Sequence, residues 1–246
     1  RGLPGTAEAF DLRFDLPSRC AEALANGEVD LALLPTASFA AISDELAVVP
    51  HICVASRGPV RTVLLVGEVP LEQMTEIALD DASRSSALLL RVLCAEQKLA
   101  PTFTQVDHDH VLDSVRGTRG ALVIGDLAFE AAERFPHVLD LGRAWRSLTG
   151  LPFVYAVWAG RPDTVSPEHV ALLKDSLAAG LEHRAEIARA WAETSHLSPA
   201  VCESYLTNNI RYMLGSEELS GAAAFVNRGH AAGLLPKKAF FRFFDD

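Results

Sequence analysis

The 246-residue chain is predicted to fold as a two-lobed α/β protein that closes on a small anion. Three observations predict it. Short apolar runs alternate with helical segments through the first two thirds of the chain. Two β-rich apolar runs, GPVRTVLLVG (Gly58 to Gly67) and LPFVYAVW (Leu151 to Trp158), bracket the middle segment as crossovers between lobes. The last third reads as helix almost throughout. No low-complexity linker separates these parts, so the lobes are expected to be joined by strands, with 1–62 and 156–246 forming one lobe and 63–155 the other. With 49% hydrophobic residues the chain has ample material for a core in each.

In chain order, FDLRFDLP alternates like a strand, and SRCAEALANG follows as a short helix capped by Ser18 and ended by Gly27. VDLALLP, Val29 to Pro35, is a buried strand leading directly into a helix that begins at Thr36. HICVAS, Val63 to Val66, Ile77 to Leu79 and Leu122 to Ile124 are short apolar runs typical of mostly parallel sheets covered on both faces. Helices are expected over Ser85 to Gln97, Asp126 to Arg134 and Leu139 to Trp145. From Ser166 to Asn209 the pattern is helical, opened by Ser166, Pro167 and Glu168. A final amphipathic helix is expected over Glu217 to Arg228, with the Phe-rich tail AFFRFFDD packing back on the body or fraying.

A net charge of -10 with scattered Lys and Arg argues against a nucleic-acid surface, which needs a basic stripe. An anion must then be bound locally, by helix N-termini, backbone N–H groups or single arginines. No run is long and apolar enough to span a membrane, and RGLPGTAEAF has no basic segment followed by an apolar one. Cys20, Cys53, Cys94 and Cys202 are far apart among apolar neighbours, as reduced buried thiols are. A cytoplasmic protein is therefore expected. A homodimer is compatible with the sequence and stands as an expectation.

Five loops offer groups for a cleft. In LDDASRSSALLL a polar turn enters a helix through Ser83, Ser85 and Ser86, which suits an anion, although a plain N-cap accounts for the same residues. In ALVIGDLAF, Gly125 permits close backbone approach, and Asp126 is placed to cap the helix or to meet a substrate hydroxyl. Thr36 ends a strand in LLPTASF, Arg57, Arg61 and Thr62 lie at the first crossover, and Thr149, Gly150, Leu151 and Pro152 lie at the second. His108 and His110 have the spacing of metal ligands on a strand, yet no third ligand accompanies them, and no metal is expected. Trp145, Trp158 and Trp191 are expected in the core. No phosphate-binding loop, dinucleotide fingerprint or nucleophile elbow is present.

Taken together, GEVDLALLPTASF, ASRGPVRTVLL, SRSSALLLRVL, ALVIGDLAF and LGRAWRSLTGLPFVYAVW resemble the chorismate dehydratases of the futalosine route to menaquinone, and TGLPFVYAVW is the most specific part. The resemblance implies the two-lobed type II periplasmic-binding-protein fold with two crossover strands. It also implies dehydration of chorismate to 3-[(1-carboxyvinyl)oxy]benzoate without a metal or organic cofactor. On this basis Ser85 and Ser86 hold a carboxylate, Thr36 and Thr62 line the cleft, Asp126 sits near its polar end, and Thr149 to Pro152 form a wall. The family's opening strand, ending in a Ser-Tyr-Leu-Asn-like motif whose Asn has a proposed catalytic part, is expected upstream of Arg1 and absent from this chain. The turn reads SRSS where Ser-Arg-Thr-Ser is usual, which keeps the hydroxyl.

Two alternatives share the fold. A dihydroxynaphthoate synthase would carry a catalytic His and a different second crossover. A non-catalytic solute-binding protein for an aromatic or dicarboxylic anion would carry a leader upstream of Arg1.

Overall fold

The computed structural model describes residues 9–80 and 84–245. Ser83, expected in the polar turn, lies outside them. The first described helix, α1 (Pro17–Asn26), opens on Pro17 and ends at Gly27 in the left-handed conformation. The strand β1 (Leu31–Pro35) then runs straight into α2 (Thr36–Ile42). Pro35 makes that junction abrupt, because its fixed φ and the missing N–H end the ladder there. The alternating run ahead of α1 is not a strand. Residues 10–16 form no regular element, and Leu12 and Phe14 are exposed. Alternation yields a strand only where an edge is available to pair with it.

β1 and β2 (Ala47–Ser56) flank β8 (Phe153–Gly160), both antiparallel to it, in a three-stranded sheet. The second sheet has the order β5-β4-β6-β3-β7, from β3 (Val63–Gly67), β4 (Glu76–Asp80), β5 (Thr102–Val106), β6 (Arg119–Ile124) and β7 (His137–Asp140). It is mixed rather than mostly parallel. β4 pairs parallel with β5 and β6, whereas β3 is antiparallel to β6 and β7. The chain passes from the first sheet to the second between Ser56 and Val63, and β8 rejoins the first from Phe153 onward, pairing with Ser56.

In the second sheet, α3 (Arg84–Glu96) follows β4, α4 (Leu127–Arg134) follows β6, and α5 (Leu141–Thr149) follows β7. One core cluster runs through the crossover region. It joins Ala37 and Ala40 of α2, Leu88 and Leu89 of α3, Trp145 of α5, Phe153 of β8, and Phe225 of α9 (Ser216–Ala231). Trp145, Phe153 and Phe225 meet edge to face at 4.8–6.1 Å between ring centroids.

The stretch expected as continuous helix is divided. α6 (Pro167–Glu182) ends at His183, α7 (Arg184–Ala192) follows, and α8 (Pro199–Ser204) runs into a π-turn over Tyr205–Asn209. The tail packs back: Phe241 stacks on Phe39 at 5.2 Å, and Phe243 bridges to Val48. His108–His110 forms a 3₁₀ turn rather than a strand. Among the described residues no helix is long and apolar enough to cross a membrane.

Candidate functional site

The carboxyl ends of β4 and β6 and the start of β3 lie on one edge of the second sheet, which sets the α3 start, Asp126 and Thr62 along that edge. The α3 start meets the other lobe. Ala37 N–H, one residue into α2, donates to Ser85 Oγ at 3.1 Å across the seam. Ser85 and Ser86 are both buried there. Thr36 is fully buried and donates to the Val154 carbonyl at 2.8 Å, which pins the start of α2 to β8. The next hydroxyl, Ser38 Oγ, is buried with no hydrogen-bond partner among the described residues, which costs about 1–3 kcal/mol.

Behind the seam, the first crossover is held by a carboxylate. Asp140 caps α5 by accepting from Arg143 N at 3.0 Å, and also accepts from Val60 N at 3.1 Å and Arg61 N at 2.8 Å. Arg61 stands at φ 68, an uncommon conformation for a residue with a Cβ, and its guanidinium lies 4.9 Å over the Phe129 ring. Ser56 Oγ contacts the Gly58 carbonyl at 3.1 Å and the Tyr155 hydroxyl at 3.2 Å. Burial pushes the Tyr155 phenol well above its ordinary pKa, the Ser56 contact opposes that, and Asp140 adds to it. Gly142 sits where a Cβ would fall 2.5 Å from the Gly58 carbonyl oxygen, so α5 approaches the crossover backbone to backbone.

Further along the edge the groups open onto a cavity of about 1090 Å³ between α4 and the C-terminal helices, with Asp126, Phe129, His183, Trp191 and Tyr205 in its lining. Gly125, at φ 68, donates its N–H to the Thr62 carbonyl at 3.0 Å and so turns the chain out of β6 toward this space. Asp126 then stands at the α4 N-cap position but makes no side-chain cap bond. Its Oδ2 instead accepts from Trp191 Nε1 at 2.8 Å. Thr62 and Tyr205 share a hydrogen bond at 2.9 Å between their hydroxyls. The Tyr205 phenol is raised by burial, held back by Thr62, and raised further by the charge of Asp126.

The loop Thr149 to Pro152 wedges α5, β8 and α9 together. Gly150 ends α5 in the left-handed conformation, Thr149 Oγ donates to the Trp145 carbonyl at 2.9 Å, and Leu151 N–H donates to Thr149 Oγ at 3.1 Å. Trp145 Nε1 donates to the Pro152 carbonyl at 3.0 Å. The structure thus groups the expected residues in three places: Thr36, Ser85 and Ser86 at the seam, Asp126 lining the cavity with Thr62 and Gly125 behind it, and Thr149, Gly150, Leu151 and Pro152 in the wedge. Sequence reasoning missed Ser38, Ser56, Asp140, Tyr155 and Tyr205. For Asp140 a signal existed, since an Asp just ahead of LGRAW is an N-cap signature. Trp191, expected in the core, is 54% exposed at the cavity.

Two α/β lobes joined by paired crossovers, with hydroxyls and helix starts facing each other at the edge, define a type II periplasmic-binding-protein fold. Solved structures agree on that class. A protein from Archaeoglobus fulgidus matches with a TM-score of 0.74 at 16% identity, covering 91% of this chain and 86% of that one. The periplasmic aliphatic sulphonate binding protein SsuA from Escherichia coli matches with a TM-score of 0.61 at 19% identity, covering 92% and 82%. Within that class the chain belongs to the menaquinone biosynthesis family, whose model matches residues 2–231. It is 30% identical over 236 residues to the chorismate dehydratase of Thermus thermophilus, covering 89% of this chain and 86% of that protein.

Proposed function

We propose that the protein is a hydro-lyase that converts chorismate to 3-[(1-carboxyvinyl)oxy]benzoate and water, as a step toward menaquinone. The observation that carries this reading is the likeness to a chorismate dehydratase over nearly the whole chain. In the reaction, the ring carbon bearing the enol ether loses its proton, the electron pair left behind forms the third ring double bond, and the neighbouring hydroxyl departs as water. Aromatisation provides the driving force, so the protein has to orient the substrate, exclude water and meet the departing oxygen with donors.

The seam supports this chemistry. The hydroxyls of Ser85 and Ser86 suit a carboxylate without adding charge. Thr36 anchors the α2 start behind them, Thr62 and Asp126 stand at the polar end, and the wedge from Thr149 to Pro152 holds the crossover that the lobes, 1–62 with 156–246 and 63–155, close about. The test is incubation of the folded protein with chorismate, following the aromatic enol ether by chromatography and ultraviolet absorbance. Product formation dependent on the protein is expected. A folded protein that leaves chorismate unchanged would refute the reading.

A further inference from the structure

Asp126 opens a helix and yet does not cap it. Its carboxylate is taken by an indole N–H that arrives from 65 residues further on, on a helix of the C-terminal group. The donor is an unusual surface residue. Trp191 is half exposed, as is Ile187 one turn before it, and both line the cavity that Asp126 and Tyr205 also line. Packing holds part of Trp191, and the directional bond that orients its indole, among the described residues, is the one to Asp126. That bond fixes which way the carboxylate faces, because Gly125 next to it is in the left-handed region and leaves the turn free of side-chain support on that side.

We propose that Trp191 is a positioning residue for Asp126: by donating its indole N–H it holds the carboxylate toward the cavity and ties α7 to the start of α4 across it. The proposal rests on the dehydratase reading for what Asp126 does, while the tie itself is a matter of geometry. A bond of this kind links the C-terminal helices to the second sheet near the Thr62–Tyr205 contact, so the two cross-links brace the same wall of the cavity. Losing the indole N–H leaves the carboxylate without that donor and free to rotate, because the N–H groups of Ala128 and Phe129 in its own helix are already taken by the Gly125 and Asp126 carbonyls.

The experiment compares wild type, Trp191→Phe, Asp126→Asn and the double variant. Trp191→Phe keeps an aromatic ring at a half-exposed position, and a melting temperature within about 4 °C of wild type is expected. With chorismate, kcat/KM is expected to fall roughly three- to tenfold in Trp191→Phe, the lower end of what a charge-assisted bond supplies once solvent screening is allowed for. In the Asp126→Asn background, where only a neutral amide oxygen is left to accept the indole N–H and no carboxylate remains to be positioned, the same change is expected to add much less. Unchanged kcat/KM in Trp191→Phe, or losses that multiply in the double variant, would overturn the proposal. Should wild type not convert chorismate, the dehydratase reading fails by itself. The tie is then read from the ¹⁵N–¹H resonance of the Trp191 indole, whose shift is expected to move in Asp126→Asn, and an unmoved resonance overturns it.

Discussion

Gly221→Ala is expected to weaken the joint between α9 and the second crossover, while Gly180→Ala, the same change on another helix, is expected to strengthen the protein. At Gly221 an added Cβ would lie 2.0 Å from the Pro152 carbonyl oxygen, a backbone atom that also accepts the Trp145 indole bond at 3.0 Å. Neither partner yields easily. The carbonyl is held by that bond and by the start of β8, and moving α9 pulls Phe225 off Phe153 and Trp145. Overpacking of this kind costs ~1–3 kcal/mol, and straining the indole bond adds ~1 kcal/mol. Replacing a mid-helix Gly by Ala returns ~1 kcal/mol. The net loss is about 1–3 kcal/mol, a fall of very roughly 2–10 °C in Tm for a chain of this size. At Gly180 nothing lies within 4 Å of the added Cβ, so only the ~1 kcal/mol helix gain remains. Urea denaturation of the three proteins checks both signs. If Gly221→Ala were as stable as wild type, or moved in the same direction as Gly180→Ala, the close approach of α9 to Pro152 would be wrong.

Other expectations follow from buried groups. Burial pushes the Cys53 thiol up to about 12 and the Cys94 thiol up to about 11, from an ordinary value of about 9. The unfolded chain therefore releases these protons first, so the stability they contribute is whole below pH ~9 and is lost as pH rises toward the folded values; Tm measured from pH 8 to pH 10.5 should fall. Arg57→Ala removes the partner of the buried Glu218 carboxylate, at 2.9 Å, and leaves that carboxylate, among the described residues, to the Gly215 N–H. A loss of roughly 1–3 kcal/mol is expected, and Arg57→Lys should recover part of it; equal stability of Arg57→Ala and wild type in urea would remove the pair from the account.

What the sequence discloses depends on how local the cause is. The β1 to α2 junction was legible because an apolar run ends at Pro35 and a helix former follows at once. The α3 start was legible for the same reason, and the two β-rich runs did mark where the chain changes sheets. Strand direction was not, since an apolar run such as Val63 to Val66 carries no mark of whether its neighbours are parallel. The division of α6 from α7 at His183 was equally hidden, because Ala, Glu, Leu and Arg favour helix on both sides of it. At the site, Ser85 and Ser86 were readable as a helix start, but the Ser85 contact with Ala37 joins residues 48 apart. Asp126 looked like a cap because its neighbours on the chain offered nothing else. Its actual donor came from α7, and no local pattern announces a partner at that distance.

An acidic chain that receives a dianion has to keep its own carboxylates occupied, and those near the lobe edge are occupied. Asp140 takes three backbone N–H groups, Glu218 takes Arg57 and the Gly215 N–H, and Asp126 takes the Trp191 indole. The Ser85 and Ser86 hydroxyls at the α3 start are neutral. This bears on how Ser86→Ala should read. Chorismate and its proposed product carry the same two carboxylates, so a group that holds a carboxylate binds substrate, transition state and product alike, and such uniform binding lowers KM without raising kcat. If Ser86 holds a carboxylate, its removal forfeits a hydrogen bond to a charged group, ~1.5–3 kcal/mol, and KM should rise roughly ten- to hundredfold while kcat stays. If its hydroxyl instead meets the departing ring oxygen, kcat should fall with KM little changed, because that interaction strengthens only as the C–O bond breaks. Steady-state kinetics on the folded variant separate the two, and a variant with both constants unchanged would take Ser86 out of the site.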